Sequence, residues 1–359
     1  MPQLLLAGHF GAGNLGDDAI MCGFVDGISR YGGFDIRVMS GAPEETGRLY
    51  GLSAIPRKDM GAYNDELART DAVVFAGGSI FQDVTSVRSA MFYANLVSKA
   101  KKAGKKVFLV GQGVGPLTKF LSKRAAVGAF NMADAIIVRD PASAQTLRDL
   151  GVKRPVRVGA DPAFLLRPSS FEEQSYGVAD RKSIGLAPRA FGKGPKEAVA
   201  LFGEFTRLVF QANYMPIMIP MDKNEDGPLI QAISDAQGGK IPDLRKVQRP
   251  QDLQARLKRM EAVVAVRLHA SVLAATVGTP ALMVSYDPKV SAFAKLMDAP
   301  VLPADGLTAG RLFENFQQFM KQRDRHVASL ERKREEMMKL AELNVEAVVE
   351  SLKGAANAS

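Results

Sequence analysis

Short apolar runs alternate with longer helical patterns along the first half of the chain. Strand-like runs fall at residues 3–7, 35–40, 71–76, 106–111, 134–138 and 156–159, and helix-like segments at 18–30, 86–103, 122–132 and 142–150. Continuous apolar strands separated by helices predict a parallel sheet covered on both faces. A second series follows, with strands at 183–187, 216–220, 262–266 and 281–285 and helices at 195–213, 226–236, 250–260, 270–278 and 290–297. From about 308 to 353 the pattern is helical, with Leu312, Phe316, Phe319, Met320, Val327 and Leu330 at helical spacing.

Between the two series, composition turns to Ser, Glu, Pro and Gly without an apolar period. The expected division is therefore a first domain over 1–168, a linker over 169–181, a second domain over 182–307, a helical segment over 308–353 and a fraying tail over 354–359. The expected fold class is α/β: two doubly wound, Rossmann-like domains facing a cleft, with a long C-terminal helix. That plan resembles the GT-B architecture of many sugar-modifying enzymes, an analogy that fixes no reaction. Most strands end in glycine or a small polar cluster: Gly8, Gly41, Gly77-Gly78-Ser79, Gly111-Gln112-Gly113 and Arg139-Asp140. Ligands of such sheets bind beyond the carboxyl ends of the strands, so these clusters are where chemistry belongs.

Composition narrows the picture further. At 359 residues, 47% hydrophobic and 24% charged, the chain suits two cored domains. The opening run Leu4-Leu5-Leu6-Ala7 has no basic flank and is too short for a secretory signal, and no apolar stretch approaches the roughly 20 residues that cross a bilayer. A single cysteine, Cys22, excludes an internal disulfide and a cysteine-built zinc site. A cytoplasmic enzyme is the expectation. The formal charge of +9 favours anionic partners. The chain carries no nucleic-acid-binding signature and no tryptophan, which leaves phosphorylated small molecules or peripheral contact with an anionic membrane. One basic stretch, around Arg325 and Arg332-Lys333-Arg334, reads as the solvated face of a helix or as such a membrane contact.

Gly11-x-Gly13-x-x-Gly16 follows a strand and opens a helix, superficially a dinucleotide fingerprint. Asp17 and Asp18 put two negative charges where a pyrophosphate would approach, and the strand ending at Ser40 lacks the acid that would hold a ribose. The glycines read instead as a tight strand-to-helix turn.

The islands that remain fit together. They are Gly8-His9-Phe10-Gly11-Ala12-Gly13-Asn14-Leu15-Gly16-Asp17-Asp18, Gly77-Gly78-Ser79-Ile80-Phe81-Gln82-Asp83, Thr85-Ser86-Val87-Arg88-Ser89, Gly111-Gln112-Gly113-Val114-Gly115-Pro116, Val138-Arg139-Asp140 and Ala160-Asp161-Pro162, then Arg267-Leu268-His269-Ala270 and Tyr286-Asp287-Pro288-Lys289. In this order they resemble the polysaccharide pyruvyl transferase family, and most closely its branch acting on cell-wall polymers that anchor surface-layer proteins. Residues 169–260 add little to the match. The resemblance implies transfer of a pyruvyl group from phosphoenolpyruvate to a sugar, a chemistry that needs fixed cations for the donor's carboxylate and phosphate, a proton donor and a base.

Arg267 and His269 end the apolar run at 262–266, where a planar guanidinium suits an anion and an imidazole titrates near neutrality. From the residues alone, a capping histidine and an arginine paired with a local acid are an equal reading; the resemblance favours His269 as proton donor and Arg267 as donor ligand. It implies Lys289 and Arg139 as further donor-binding cations and Asp17 as base. It places Asn14, Asp18, Asp83, Arg88, Gly77, Gly78, Gln112 and Gly113 at the acceptor or in its loops. For Asp17 and Asp18 the alternative is helix capping, for Asp83 orienting its loop, and for Arg139 pairing with Asp140. His9 reads better as a packed neutral histidine and His326 as exposed. No residues have metal-site spacing, and neither metal nor cofactor is expected beyond phosphoenolpyruvate as donor substrate. The implied acceptor is a lipid-linked, hexosamine-containing glycan. Two rivals stay in view: a nucleotide-sugar glycosyltransferase or epimerase of the same architecture, which usually holds a ribose with an acid that residues 269–280 lack, and a polysaccharide-binding protein, which should display aromatic platforms.

Overall fold

Seven parallel strands form one sheet of the computed structural model and five parallel strands another. The structure describes residues 1–84, 87–169, 181–192, 194–239 and 241–356. The linker expected at 169–181, apart from its end residues, lies outside the described residues, as do Thr85, Ser86 and 357–359.

The first sheet is built from β1 (Gln3–Ala7), β2 (Asp35–Ser40), β3 (Ser53–Pro56), β4 (Ala72–Phe81), β5 (Lys106–Val114), β6 (Ala135–Val138) and β7 (Arg157–Val158). Helices α1 (Leu15–Ser29), α2 (Pro43–Tyr50), α3 (Met60–Arg69), α4 (Val87–Lys102), α5 (Phe120–Met132) and α6 (Pro141–Asp149) connect them. The order β3-β2-β1-β4-β5-β6-β7 reverses direction between β1 and β4, which makes their carboxyl ends the switch point. β1 and β4 are buried almost throughout, as strands flanked by helices on both faces must be. The core clusters Phe75, Phe81, Tyr93 and Phe130, with Phe81 and Phe130 ring centroids 4.9 Å apart.

The second sheet contains β8 (Ser183–Ala187), β9 (Met215–Met218), β10 (Ala262–Ala265), β11 (Ala281–Ser285) and β12 (Val301–Pro303), in the order β12-β11-β10-β8-β9. Its helices are α7 (Pro195–Gln211), α8 (Asp226–Ala236), α9 (Pro250–Leu257), α10 (Leu268–Thr276), α11 (Pro288–Leu296), α12 (Ala309–Lys321) and α13 (Arg323–Ala356). Here the switch point lies between β8 and β10. Phe205, Phe316 and Tyr214 close the core, and the amphipathic α12 supplies Leu312, Phe316 and Phe319 to it.

The parallel α/β class read from the apolar pattern is thus what forms. Several elements differ from the sequence reading. α2, β3 and α3 occupy a stretch whose apolar residues are too few to stand out, and β3 is half-exposed at the sheet edge. β4 continues past the Gly77-Gly78 pair, both at positive φ, with a register shift against β5 between Gly78 and Phe81. α13 runs to Ala356.

Packing divides the described residues into two compact units. One holds 1–12, 17–167 and 337–356, the other 13–16, 168–169 and 181–336 with the gaps noted above. Two short exchanges across the chain follow from local chemistry. The end of α13 joins the first unit because Met337, Ala341, Val345 and Val348 repeat at helical spacing and are buried, and Asn344 Nδ2 donates to Ala160 O at 2.9 Å. Residues 13–16 join the second unit through backbone bonds from Leu15 N to Met221 O (2.8 Å) and from Lys223 N to Gly13 O (2.9 Å).

Candidate active site

Three of the motif islands share one local construction: Asp140-Pro141, Asp161-Pro162 and Asp287-Pro288 each follow a strand and begin a helix or helical turn. In each, the Asp carboxylate caps the first turn and the proline sits where no backbone donor is needed. The sequence thereby holds the strand-end loops rigid, and the side chains beside the caps are well placed to act.

In the second unit the geometry centres on the switch point. Ala187 of β8 and Ala265 of β10 are register partners, and two residues beyond each stands an arginine, Arg189 and Arg267. The two guanidinium groups share the carboxylate of Glu225: Arg267 Nη2 donates to Glu225 Oε2 at 2.7 Å, and Arg189 Nη2 lies 3.4 Å from the same oxygen. Arg267 is buried and also donates from Nε to Asp226 Oδ1 at 3.0 Å. Asp226 is fixed from its other oxygen by the backbone N–H groups of Met221 and Asp222, both at 2.9 Å. Burial pushes the Glu225 carboxyl up, but the hydrogen bond and charge of Arg267 with the charge of Arg189 outweigh it and hold Glu225 below its ordinary range. Arg189 also donates to Tyr286 Oη at 2.8 Å, which links the pair to the Tyr286-Asp287-Pro288-Lys289 island. Lys289 Nζ is 3.3 Å from Asp287 Oδ2.

His269, half-buried in the first turn of α10, packs on Gly16. A Cβ on Gly16 would lie 2.3 Å from His269 Nδ1, so only glycine allows this approach. Asn14 is fixed on the same side: its Oδ1 accepts from Gly16 N at 2.9 Å and its Nδ2 donates to Asp222 Oδ2 at 3.5 Å.

In the first unit, Asp17 reaches the switch point, its Oδ1 3.7 Å from where a Gly78 Cβ would stand. Asp18 turns the other way. It is buried, accepts from Gly11 N at 2.8 Å and from Tyr50 Oη at 3.1 Å, and so occupies the turn donor that a pyrophosphate would use. Arg139 lies against Gly113 and donates to Ser79 Oγ (3.2 Å) and Asp161 Oδ2 (3.2 Å), a closer partner than the neighbouring Asp140 at 3.7 Å. Gln112 is fully buried and its amide donates to the carbonyls of Phe75 (2.8 Å) and Gly77 (3.1 Å), pinning the glycine pair of β4. Asp83 spends both oxygens on Thr118 N and Lys119 N, at 2.7–3.0 Å, which is the loop-orienting role. Arg88 is exposed at the start of α4.

Two histidines differ from their sequence reading. His9 is exposed, with Nδ1 2.9 Å from Arg57 Nη1, rather than packed; His326 is half-buried and stacks on Phe319 at 4.8 Å rather than standing exposed. Among the described residues no group of three or more His, Cys, Asp or Glu side chains has metal-binding geometry, and no helix is long and apolar enough to cross a membrane.

A model of polysaccharide pyruvyl transferases matches residues 14–288, a span that contains Asn14, Arg139, Arg267 and the Tyr286-Asp287-Pro288 turn. The chain belongs to the polysaccharide pyruvyl transferase family. The amylovoran biosynthesis protein AmsJ of Erwinia amylovora is 22% identical to it over 84% of this chain and 88% of its own length. Solved structures similar in fold include the S. aureus MnaA–UDP co-structure (TM-score 0.65, 99% of this chain and 97% of that one) and the Neisseria meningitidis UDP-GlcNAc 2-epimerase bound to UDP-GlcNAc (TM-score 0.65, 98% and 100%). Anabaena Alr3699/HepE in complex with UDP aligns at TM-score 0.61 over 99% and 100%. All three are 12% identical to this chain, a likeness of GT-B-like fold alone.

Within this pyruvyl transferase, the structure brings Arg267, His269, Asn14 and Lys289 into one unit, and Asp17, Asp18, Asp83, Arg88, Arg139, Gln112 and the glycines Gly77, Gly78 and Gly113 into the other. Sequence reasoning missed Arg189, Glu225 and Asp226. Arg189 carried a legible signal, since it follows an apolar strand just as Arg267 does; Glu225 and Asp226 lie in a stretch with no motif.

Asp18 supports a pH prediction. Burial, with the charge of Asp17 as a lesser cause, outweighs its hydrogen bonds and pushes the carboxyl up to about 6 from 3.8. The folded chain therefore binds this proton more tightly than the unfolded one, and the associated stability is present below pH 3.8 and lost as pH rises through about 6. Asp18→Asn keeps an acceptor for Gly11 N and carries no charge. Its unfolding free energy should exceed that of the unaltered chain at pH 8, by on the order of 2–3 kcal/mol, with the difference gone below about pH 4. A variant less stable at pH 8 would contradict a buried carboxylate held against its preference.

Proposed function

We propose that this pyruvyl transferase takes its pyruvyl group from phosphoenolpyruvate and builds a cyclic ketal on two hydroxyls of a sugar in a polysaccharide precursor. The observation that carries this reading is the pair Arg189 and Arg267 at one switch point, bridged by the carboxylate of Glu225. The Glu225 side chain is 58% exposed, whereas Asp226 on the far side of Arg267 is 1% exposed. A donor carboxylate or phosphate can displace the exposed acid while the buried one keeps Arg267 aimed. Lys289 adds a third cation on the adjoining turn.

In this reading His269 protonates the methylene carbon of phosphoenolpyruvate, leaving a cationic carbon stabilised by its oxygen. One sugar hydroxyl adds, its proton passing to Asp17, the next residue along the chain from Gly16. The carbon–oxygen bond to phosphate breaks, the second hydroxyl closes the ring, and inorganic phosphate leaves with one proton. The donor anions are neutralised by fixed cations, which need no reorganisation as the phosphate departs. No metal or cofactor enters. For the acceptor we infer a lipid-linked, hexosamine-containing glycan of the cell-wall or exopolysaccharide kind, in keeping with the family and with a relative of amylovoran biosynthesis; a surface-layer-anchoring polymer is the form the motif islands suggest.

The rival reading, a nucleotide-sugar enzyme, is separated by ligand protection. Phosphoenolpyruvate should raise the unfolding temperature and UDP should not, and Arg189→Ala should remove the effect while leaving the unliganded midpoint within a degree or two, since a partly exposed arginine contributes under about 1 kcal/mol. Protection by UDP alone would overturn the donor assignment.

A further inference from the structure

The positive charge of this chain is not spread over it. Residues 84–133 contain nine Lys and Arg and no Asp or Glu, and the rest of the chain holds 38 of each sign. One segment, α4, β5 and α5, therefore carries the whole excess of +9. Part of it is spent inside the first unit: Lys101 pairs with Asp134 at 2.8 Å, Lys99 bonds Asn64 and Lys106 bonds Ser351. Lys119, Lys123 and Arg124, in and just before the first turn of α5, are exposed, as is Arg88 one loop away.

Large apolar side chains stand among these cations. Phe120 is 73% exposed, Val84 72%, Leu121 57% and Met91 46%. Asp83 ties the β4–α4 loop to the β5–α5 loop through Thr118 and Lys119, so Val84 on the first loop and Phe120, which opens α5 directly after the second, lie at the carboxyl edge of the sheet. A tandem Phe-Leu left in water gains nothing for the fold, and its cationic flanks are unlike those of an obligate protein interface, whose core is depleted of charge. Exposed apolar side chains interspersed along 84–133 with Lys and Arg, the acid of the adjoining loop, Asp83, being buried, match a surface of lipid phosphates over acyl chains. The basic stretch of α13 does not: Glu331, Glu335 and Glu336 interleave it, Lys333 pairs with Glu336 and Arg334 with Glu331.

We propose that this edge of the first unit docks on an anionic lipid bilayer, with Phe120, Leu121, Val84 and Met91 entering the interface and Lys119, Lys123 and Arg124 meeting lipid phosphates. The docking does not depend on the pyruvyl transfer reading, although a lipid-linked acceptor would be met at the same edge.

The test is cosedimentation of the full chain with phosphatidylcholine vesicles and with vesicles of phosphatidylcholine and phosphatidylglycerol. Binding should occur on the mixed vesicles and weaken steeply with salt, an arm that needs no variant. Lys119→Glu/Lys123→Glu/Arg124→Glu should cut partitioning about 100-fold or more, and Phe120→Ser/Leu121→Ser about tenfold or more, with circular dichroism unchanged because these side chains are exposed. Equal binding to both vesicle types, no binding, or loss only on Arg325→Glu/Arg332→Glu/Lys333→Glu would overturn the proposal. So would self-association of the chain that Phe120→Ser/Leu121→Ser abolishes, which would make the patch a contact between copies.

Discussion

Arg267→Ala should cost the chain about 3–5 kcal/mol of stability and all measurable turnover. The reason lies in what the substitution leaves behind. Asp226 is 1% exposed and, without the guanidinium, would keep two backbone donors but no countercharge. Breaking such a pair from one side is far more damaging than never having had it. Two comparisons separate structure from function. Asp226→Asn in the Arg267→Ala background should recover part of the stability, because the orphaned charge is gone, yet recover no turnover. Arg267→Lys should remain folded but bind donor weakly, since an ammonium cannot reach Asp226 and a donor anion with the same planar fork. Chemical denaturation and donor titration read both quantities. Full stability in Arg267→Ala would mean that Asp226 is not anchored by this pair.

The second large effect is expected from one methyl group. Gly16→Ala places a Cβ 2.3 Å from His269 Nδ1 and 2.4 Å from Cγ, so either the imidazole swings away or the start of α1 shifts. Overpacking of this kind costs about 1–3 kcal/mol. If His269 is the proton donor, its displacement should lower kcat by about 10²–10⁴, as much as His269→Ala does, with little change in donor affinity. The two substitutions should not add: in a His269→Gly background the three atoms nearest the new methyl, Nδ1, Cγ and the Cβ at 2.6 Å, are all absent, and Gly16→Ala should be nearly silent in both stability and rate. Additive losses would show that Gly16 matters for some reason other than the imidazole it supports.

How far these features were legible depended on whether the signal was local. The apolar strands and their glycine or Asp-Pro ends were readable because burial on both faces and helix capping act over a few residues, and the parallel α/β plan followed. α2, β3 and α3 were missed because an edge strand with half-exposed residues writes no apolar run. Arg267 and His269 were readable as strand-end residues. Their partners were not: Glu225 and Asp226 stand about forty positions away and meet Arg267 only through the order of the second sheet, which no short-range pattern encodes. Asp18 was read as acceptor-side, yet it turns inward to Gly11 and Tyr50, while Asp17 faces the switch point. Two adjacent acids of one helix turn take opposite directions, and only the fold distinguishes them.

The most direct test of the central claim is release of inorganic phosphate from phosphoenolpyruvate, measured with and without a lipid-linked hexosamine glycan and followed by mass detection of the pyruvylated product. The account predicts acceptor-dependent release, one phosphate for each ketal formed, abolished by Arg267→Ala and reduced at least a hundredfold by His269→Ala. Turnover of His269→Ala at the unaltered rate would contradict the proton-donor assignment, and a product pyruvylated without consumption of phosphoenolpyruvate would contradict the donor itself.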